Sequence, residues 1–147
     1  SLSQIDLSNV VTIGVGAFDE CTSLSQIDLS NVATIGVGAF EECTSLRSIK
    51  LSKALEYIPR ECFRYCTSLE EVTIGENVKE IDGWAFYNCE SLKKVYVKAT
   101  TPPILDRSQW PFMNSPISKV FVPSDSVTAY KNDSYWSTFT IEGYNFD

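Results

Sequence analysis

Apolar positions recur along the chain at a fixed, long interval. Residues 1–22 read SLSQIDLSNVVTIGVGAFDECT, and residues 23–44 copy them except at Val11, which becomes Ala33, and Asp19, which becomes Glu41. A Leu after Ser opens each unit at Leu2, Leu24, Leu46, Leu69 and Leu92, in steps of 22, 22, 23 and 23. A period in the twenties marks a solenoid: one such coil cannot bury its own apolar face, and stacking buries each apolar column against itself in the next coil. One column holds Ile5, Ile27, Ile49, Val72 and Val95, and the next Leu7, Leu29, Leu51, Ile74 and Val97. Val10, Val32, Leu55 and Val78 follow, then Ile13, Ile35, Ile58 and Ile81. A Phe column (Phe18, Phe40, Phe63, Phe86) and a Cys column (Cys21, Cys43, Cys66, Cys89) complete the unit.

The spacing within a unit predicts its elements. Alternation of the kind Ile27-Asp28-Leu29 predicts a strand with one buried face. Phe and Cys three apart, as in Phe40 and Cys43, fit one helical turn with both side chains inward. Gly36 and Gly38 mark the turn between. The extra residue of the longer units falls between Leu51 and Leu55 and between Ile74 and Val78, which predicts a loop there.

After a fifth strand at Lys94–Val97 the pattern breaks. Pro102, Pro103, Pro111 and Pro116 mark residues 99–116 as a loop. It carries Ile104, Leu105, Trp110, Phe112 and Met113, so it is expected to fold over the last coil. Ile117–Val122 restores the strand spacing. Ser124 reads as the N-cap of a helix running to about Lys131, with Asp125 near the positive end of its dipole. Tyr135, Trp136 and Phe139 follow, then a last short strand at 140–142. This region reads as a cap over the apolar column; the aromatic cluster is read as packing rather than as a ligand platform, because a solenoid end must be covered.

The unit Leu-x-x-Ile-x-Leu…Val-x-x-Ile-Gly-x-x-Ala-Phe-x-x-Cys resembles the BspA-like leucine-rich repeat of bacterial surface proteins. The tail, with ATTPP at 99–103 and VFVPSDSVTAYKN at 120–132, resembles the C-terminal end of such proteins from gut Bacteroidetes. Cys62 stands where the other units have Ala, and Pro59 where the first two have Gly. The resemblance implies an α/β fold: a leucine-rich-repeat solenoid, a right-handed β/α superhelical arc, with about six short parallel strands on its concave face. Residues 1–98 are assigned to the repeats and 99–147 to a capping region of the same structural domain. The resemblance further implies an extracellular location at the bacterial cell surface and a role in adhesion or host interaction.

Composition narrows the function. The formal net charge of −7 disfavours nonspecific nucleic-acid or anionic-membrane binding, both of which need a basic face. No apolar run approaches the roughly 20 residues that span a bilayer. The chain begins without Met and shows no signal peptide, and is read as a mature or excised fragment. There are five Cys and no His. Column cysteines behave as small hydrophobes, although adjacent coils bring them near disulfide range. Cys about 22 apart without His fit no zinc spacing. No cofactor is implied. A triad or general base would need His, and Gly14-Val15-Gly16 recurs at Gly36 as part of the repeat turn rather than as a nucleotide fingerprint. The chain is therefore read as non-catalytic.

Strand alternation places Gln4, Gln26, Ser48, Glu71, Lys94 and Lys119 on the open face, beside Asp6, Asp28, Lys50, Thr73, Tyr96 and Phe121. Asp6 and Asp28 make a poor calcium cage, with Lys50 next in the row. The interleaved charges of residues 56–80 read as a solvated face. Tyr96 and Phe121 beside Lys94, Lys98 and Lys119 have the composition of a partner anchor; the competing expectation is that the cap loop covers them. The candidate partner-binding residues are Gln26, Asp28, Lys50, Glu71, Thr73, Lys94, Tyr96, Lys119 and Phe121, for an extracellular protein or glycan. The alternative is a structural spacer or self-assembly segment of a longer surface protein, with self-association through an uncapped N-terminal coil.

Overall fold

The computed structural model describes residues 2–147; Ser1, half of the first Ser-Leu start, lies outside them. Ten short strands follow in chain order: β1 (Thr12–Ile13), β2 (Thr34–Ile35), β3 (Ser48–Lys50), β4 (Tyr57–Ile58), β5 (Glu71–Ile74), β6 (Glu80–Ile81), β7 (Lys94–Val97), β8 (Ile104–Leu105), β9 (Lys119–Pro123) and β10 (Ile141–Tyr144). One side of the stack is a five-stranded sheet in the order β10-β9-β7-β5-β3, every pair parallel. Its register puts Ile49, Val72, Val95, Val120 and Ile141 in one buried line. The first two coils keep the course of the sheet without its ladder, apart from a single parallel bridge between Leu29 and Leu51. The sheet thus matches the expected count of about six when that bridge is included.

A second flank carries two parallel ladders, β1-β2 and β4-β6-β8. Pro59 accounts for the gap between them. At its position in neighbouring coils, Gly36 N–H donates to Ile13 O at 2.8 Å, Asp82 N–H to Ile58 O at 2.9 Å and Asp106 N–H to Ile81 O at 3.2 Å. Proline has no N–H to give to Ile35 O, so the ladder lapses at that step while the stack continues.

The third side is built of tight turns, not the predicted helical turn. Alternate amides bond within the coil and to the next one. Ala17, Asp19 and Cys21 donate to Gly14, Gly16 and Phe18 of their own coil, whereas Gly16, Phe18 and Glu20 donate to Val37, Ala39 and Glu41. Such a path needs left-handed residues, supplied twice per coil: Gly16 and Glu20, Gly38 and Glu42, Glu61 and Tyr65, Trp84 and Asn88. A helix would turn its amides along its own axis; these turns give half of theirs to the stack.

The Phe column runs through the interior. Ring centroids from Phe18 to Phe40, Phe63 and Phe86 step by 5.3, 5.4 and 5.3 Å, with planes within 11° of parallel. Phe112 adds a fifth ring, 5.3 Å beyond Phe86. Residues 99–116, expected to be a loop over the last coil, therefore continue the stack: β8 pairs with β6, and Phe86 and Asn88 N–H donate to Pro111 O and Met113 O. All five cysteines are free. Three of the four column thiols donate to the Phe carbonyl one coil back, Cys43 to Phe18, Cys66 to Phe40 and Cys89 to Phe63, all at 3.2 Å. Ser115 takes the thiol's place on Phe86 O at 2.6 Å.

Beyond β9 a 3₁₀ turn at Ser124–Ser126 leads into the helix α1 (Val127–Asn132). Ser124 lies inside that turn and makes no capping bond, so the predicted N-cap is not used. Tyr130 and Trp136 are fully buried. The Tyr130 hydroxyl donates to Ala99 O at 2.7 Å and the Trp136 indole to Pro103 O at 2.8 Å. Trp136 and Phe139 pack on Phe112, so the C-terminal aromatics close the Phe column, as the sequence leads one to expect.

Candidate functional site

The side chains that leave the five-stranded sheet outward form rows fixed by strand register. The central row is Lys50, Thr73, Tyr96, Phe121 and Glu142; the row beside it is Ser48, Glu71, Lys94 and Lys119. Parallel strands lie about 4.8 Å apart, and the aromatic rings adopt that spacing. Tyr96 and Phe121 stack at 4.7 Å with planes 13° apart. Tyr144 stands edge-on to both, at 5.3 and 5.6 Å, and Phe146 continues the cluster 4.8 Å from Tyr144.

The cap does not cover this cluster. Tyr96 and Phe121 remain half-buried, and Tyr144 is 43% exposed. Lys119 makes an ion pair with Glu142 at 2.7 Å and holds its ammonium 5.7 Å from the Phe121 ring centroid. Lys98 lies 6.0 Å from the Phe146 ring. Among the described residues, Lys50, Lys94 and Lys98 have no carboxylate within ion-pair distance. Thr73 is short between Lys50 and Tyr96, and the notch it leaves opens into a depression of ≈ 340 Å³ bordered by Lys98, Glu71 and Asn145. Burial, with Glu71 and Tyr144 nearby, holds the Tyr96 phenol above its ordinary pKa.

Seven of the predicted residues share this surface: Lys50, Glu71, Thr73, Lys94, Tyr96, Lys119 and Phe121. Gln26 and Asp28 lie apart from it, on the second coil. Gln4 donates its amide to Gln26 at 3.0 Å. Asp6 and Asp28 each accept the backbone N–H two residues on, from Ser8 and Ser30 at 2.9 Å. Those bonds hold both carboxyls below their ordinary pKa and explain the aspartates as turn formers. Tyr144, Asn145 and Phe146 were not anticipated. The period of two from outward Glu142, which pairs with Phe121, to Tyr144 is the signal that locates Tyr144.

The turn side holds a second aromatic and charged group. The Arg64 guanidinium lies 4.8, 5.6 and 5.8 Å from the rings of Tyr65, Tyr87 and Trp84. It pairs with Glu41 at 3.3 Å and Glu61 at 3.5 Å. These charges, expected to be simply solvated, tie three successive coils together.

A parallel sheet built one strand per coil, with a buried Phe line behind it, defines a leucine-rich-repeat solenoid. The chain belongs to the BspA type leucine rich repeat family, whose profile matches residues 1–108 in 6 copies. Among solved structures it is similar to a leucine rich cell surface protein from Faecalibacterium prausnitzii, with 28% identity and a TM-score of 0.71 over 89% of this chain and 35% of that one. It is also similar to a leucine-rich repeat protein from Bacteroides ovatus, with 28% identity and a TM-score of 0.58 over 92% of this chain and 28% of that one. The chain thus spans about a third of the length of these structures. A search of curated proteins found no match. No helix among the described residues is long and apolar enough to cross a membrane.

Proposed function

We propose that this chain is a non-catalytic recognition module of a bacterial cell-surface protein, engaging an extracellular protein or glycan through the outer face of its five-stranded sheet. The observation that carries this reading is the Tyr96–Phe121–Tyr144 cluster. Its rings stand on a rigid hydrogen-bonded ladder, open to solvent and bordered by lysines, on a face that is otherwise polar and charged. Aromatic residues fixed in place contribute contact area at little entropic cost and dominate binding energy at interfaces. The family and a structural neighbour described as a cell-surface protein support the location. A glycan and protein array probed with the wild type and with Tyr96→Ala/Phe121→Ala tests it. Specific hits are expected on the wild type and lost in the variant at unchanged unfolding midpoint; hits that survive the double substitution refute the assignment.

A second reading, a spacer that self-associates through its first coil, draws on one observation. Ile5, Phe18 and Cys21 are only partly buried, while Phe40 and Cys43 one coil on are 0% exposed. Sedimentation velocity at rising concentration tests it: reversible association abolished by Phe18→Lys supports the spacer, and a constant monomer refutes it.

A further inference from the structure

The depression beside Tyr96 brings together three kinds of group. One wall is the Tyr96 ring, whose other face is taken by Phe121, so its open face looks toward the short Thr73. On the rim stand Lys50 and Lys98, neither held by a carboxylate among the described residues. Between them Glu71, Thr73 and the Asn145 amide offer acceptors and donors together.

That mixture selects a chemistry. A flat ring face accepts the C–H side of a pyranose. Sugar hydroxyls both donate and accept, and so use the Glu71 carboxylate, the Thr73 hydroxyl and the Asn145 amide. The strands that carry Glu71, Thr73 and Tyr96, β5 and β7, are paired on both sides, so they offer a peptide no strand edge to extend. The unpaired ammonium groups call for an anion. Density of charge is limited on two counts: Glu71 and Asp147 stand in the depression itself, and the chain as a whole carries −7, which repels polyanions at long range. A ligand with one carboxylate per recognised sugar meets these conditions; a heavily sulfated chain does not.

Resting on the recognition role of this face, we infer that the depression between Lys50 and Tyr96 binds a carboxylated sugar within an oligosaccharide, its ring on Tyr96 and its carboxylate between Lys50 and Lys98.

Isothermal titration calorimetry of the intact chain tests this with trigalacturonate and sialyllactose, each against its neutral counterpart, galactotriose or lactose, and with a heparin hexasaccharide. At least one carboxylated probe is expected to bind about tenfold or more tightly than its neutral counterpart. Lys50→Ala/Lys98→Ala should erase that preference, and Tyr96→Ala should abolish binding, with unfolding midpoints unchanged. Equal binding of the neutral sugar, tighter binding of heparin, or no binding of either acid overturns the inference. The two proposals fail separately. If array hits vanish in Tyr96→Ala while no acidic sugar binds, the sugar assignment falls and the recognition face stands; if neither array nor sugar gives a Tyr96-dependent signal, both fall.

Discussion

Phe63 is the centre of the five-ring column, and removing it measures how the stack is held together. It is 0% exposed, with Phe40 at 5.4 Å on one side and Phe86 at 5.3 Å on the other. Truncating a buried Phe to Ala costs about 3–5 kcal/mol, the lost transfer energy plus the cavity left behind. Each stacked neighbour accounts for about 0.5–1.5 kcal/mol of such a loss. Phe18 is the same residue at the same repeat position, but it is only partly buried and has one ring neighbour. Phe18→Ala should therefore cost about 1–2 kcal/mol, since one interface is lost instead of two and less area returns to water. Against a total of about 5–15 kcal/mol for a domain, the difference is readily resolved. Urea unfolding should be followed by far-ultraviolet dichroism for the whole chain and by tryptophan fluorescence. Trp84, Trp110 and Trp136 all lie in the C-terminal half and report that half alone. In Phe63→Ala the dichroism midpoint should fall at least twice as far as in Phe18→Ala. Its N-terminal coils should also unfold before the tryptophan signal moves, as in a chain of nearest-neighbour units. Equal losses in the two variants would refute coil-by-coil stacking as the source of stability.

Three further outcomes are expected. Gly14 and Gly36 occupy one repeat position, but a Cβ at Gly14 meets nothing within 4 Å while one at Gly36 would collide with the backbone of Val15 and Gly14; in urea unfolding Gly14→Ala should be neutral or stabilising by up to about 1 kcal/mol, and Gly36→Ala destabilising by more than that. Burial pushes the Cys43 and Cys89 thiols up to about 12 and those of Cys62 and Cys66 well above their ordinary value. Unfolded thiols lose their protons near pH 8.5, so above that the unfolded chain binds fewer protons, and the stability fully present below it declines toward pH 12 by about 1.4 kcal/mol per pH unit for each thiol; Cys43→Ala/Cys89→Ala should flatten the fall in urea midpoint between pH 8.5 and 10. Tyr130→Phe deletes the hydroxyl that donates to Ala99 O and leaves that buried carbonyl without its partner, for an expected loss of about 1–3 kcal/mol in thermal or urea unfolding.

The columns were legible because repetition separates the positions each coil needs from those it does not. Four Phe and four Cys at constant offsets state the stacking without any fold knowledge. Three features escaped for physical reasons. Phe-x-x-Cys fits a helical turn and a pair of tight turns equally well in side-chain direction. What decides between them is the left-handed backbone at residues such as Glu20, Glu42 and Tyr65, and neither Glu nor Tyr announces it. The coil at 99–116 was hidden because two more residues separate Leu105 from Phe112 than Ile81 from Phe86, and prolines surround it. Phe112-x-x-Ser115 nonetheless keeps the spacing, with a hydroxyl in place of the thiol. On the sheet face, seven of the nine chosen residues lie together because alternation fixes which face a residue takes. It could not tell that Asp28 is spent on its own turn, nor that β10 runs on to Tyr144.

The position of the aromatic cluster follows from where the ladder is continuous. Coil two meets the sheet through one bridge and coil one reaches coil two on this side through a side-chain bond between glutamines, whereas β3, β5, β7, β9 and β10 are paired residue by residue. A ring standing on a paired strand has its root fixed in register with the next, so little backbone freedom remains to be lost when a ligand docks. The inward residues of the same strands are committed to neighbours on both sides and tolerate little change. Their outward partners touch mainly solvent and one another, where substitution is nearly free. A face whose central row passes from Lys50 and Thr73 to Tyr96, Phe121 and Glu142 over an aliphatic column is what that asymmetry permits. The stack supplies rigidity, and the side chains that contribute nothing to it are the ones left to choose a ligand.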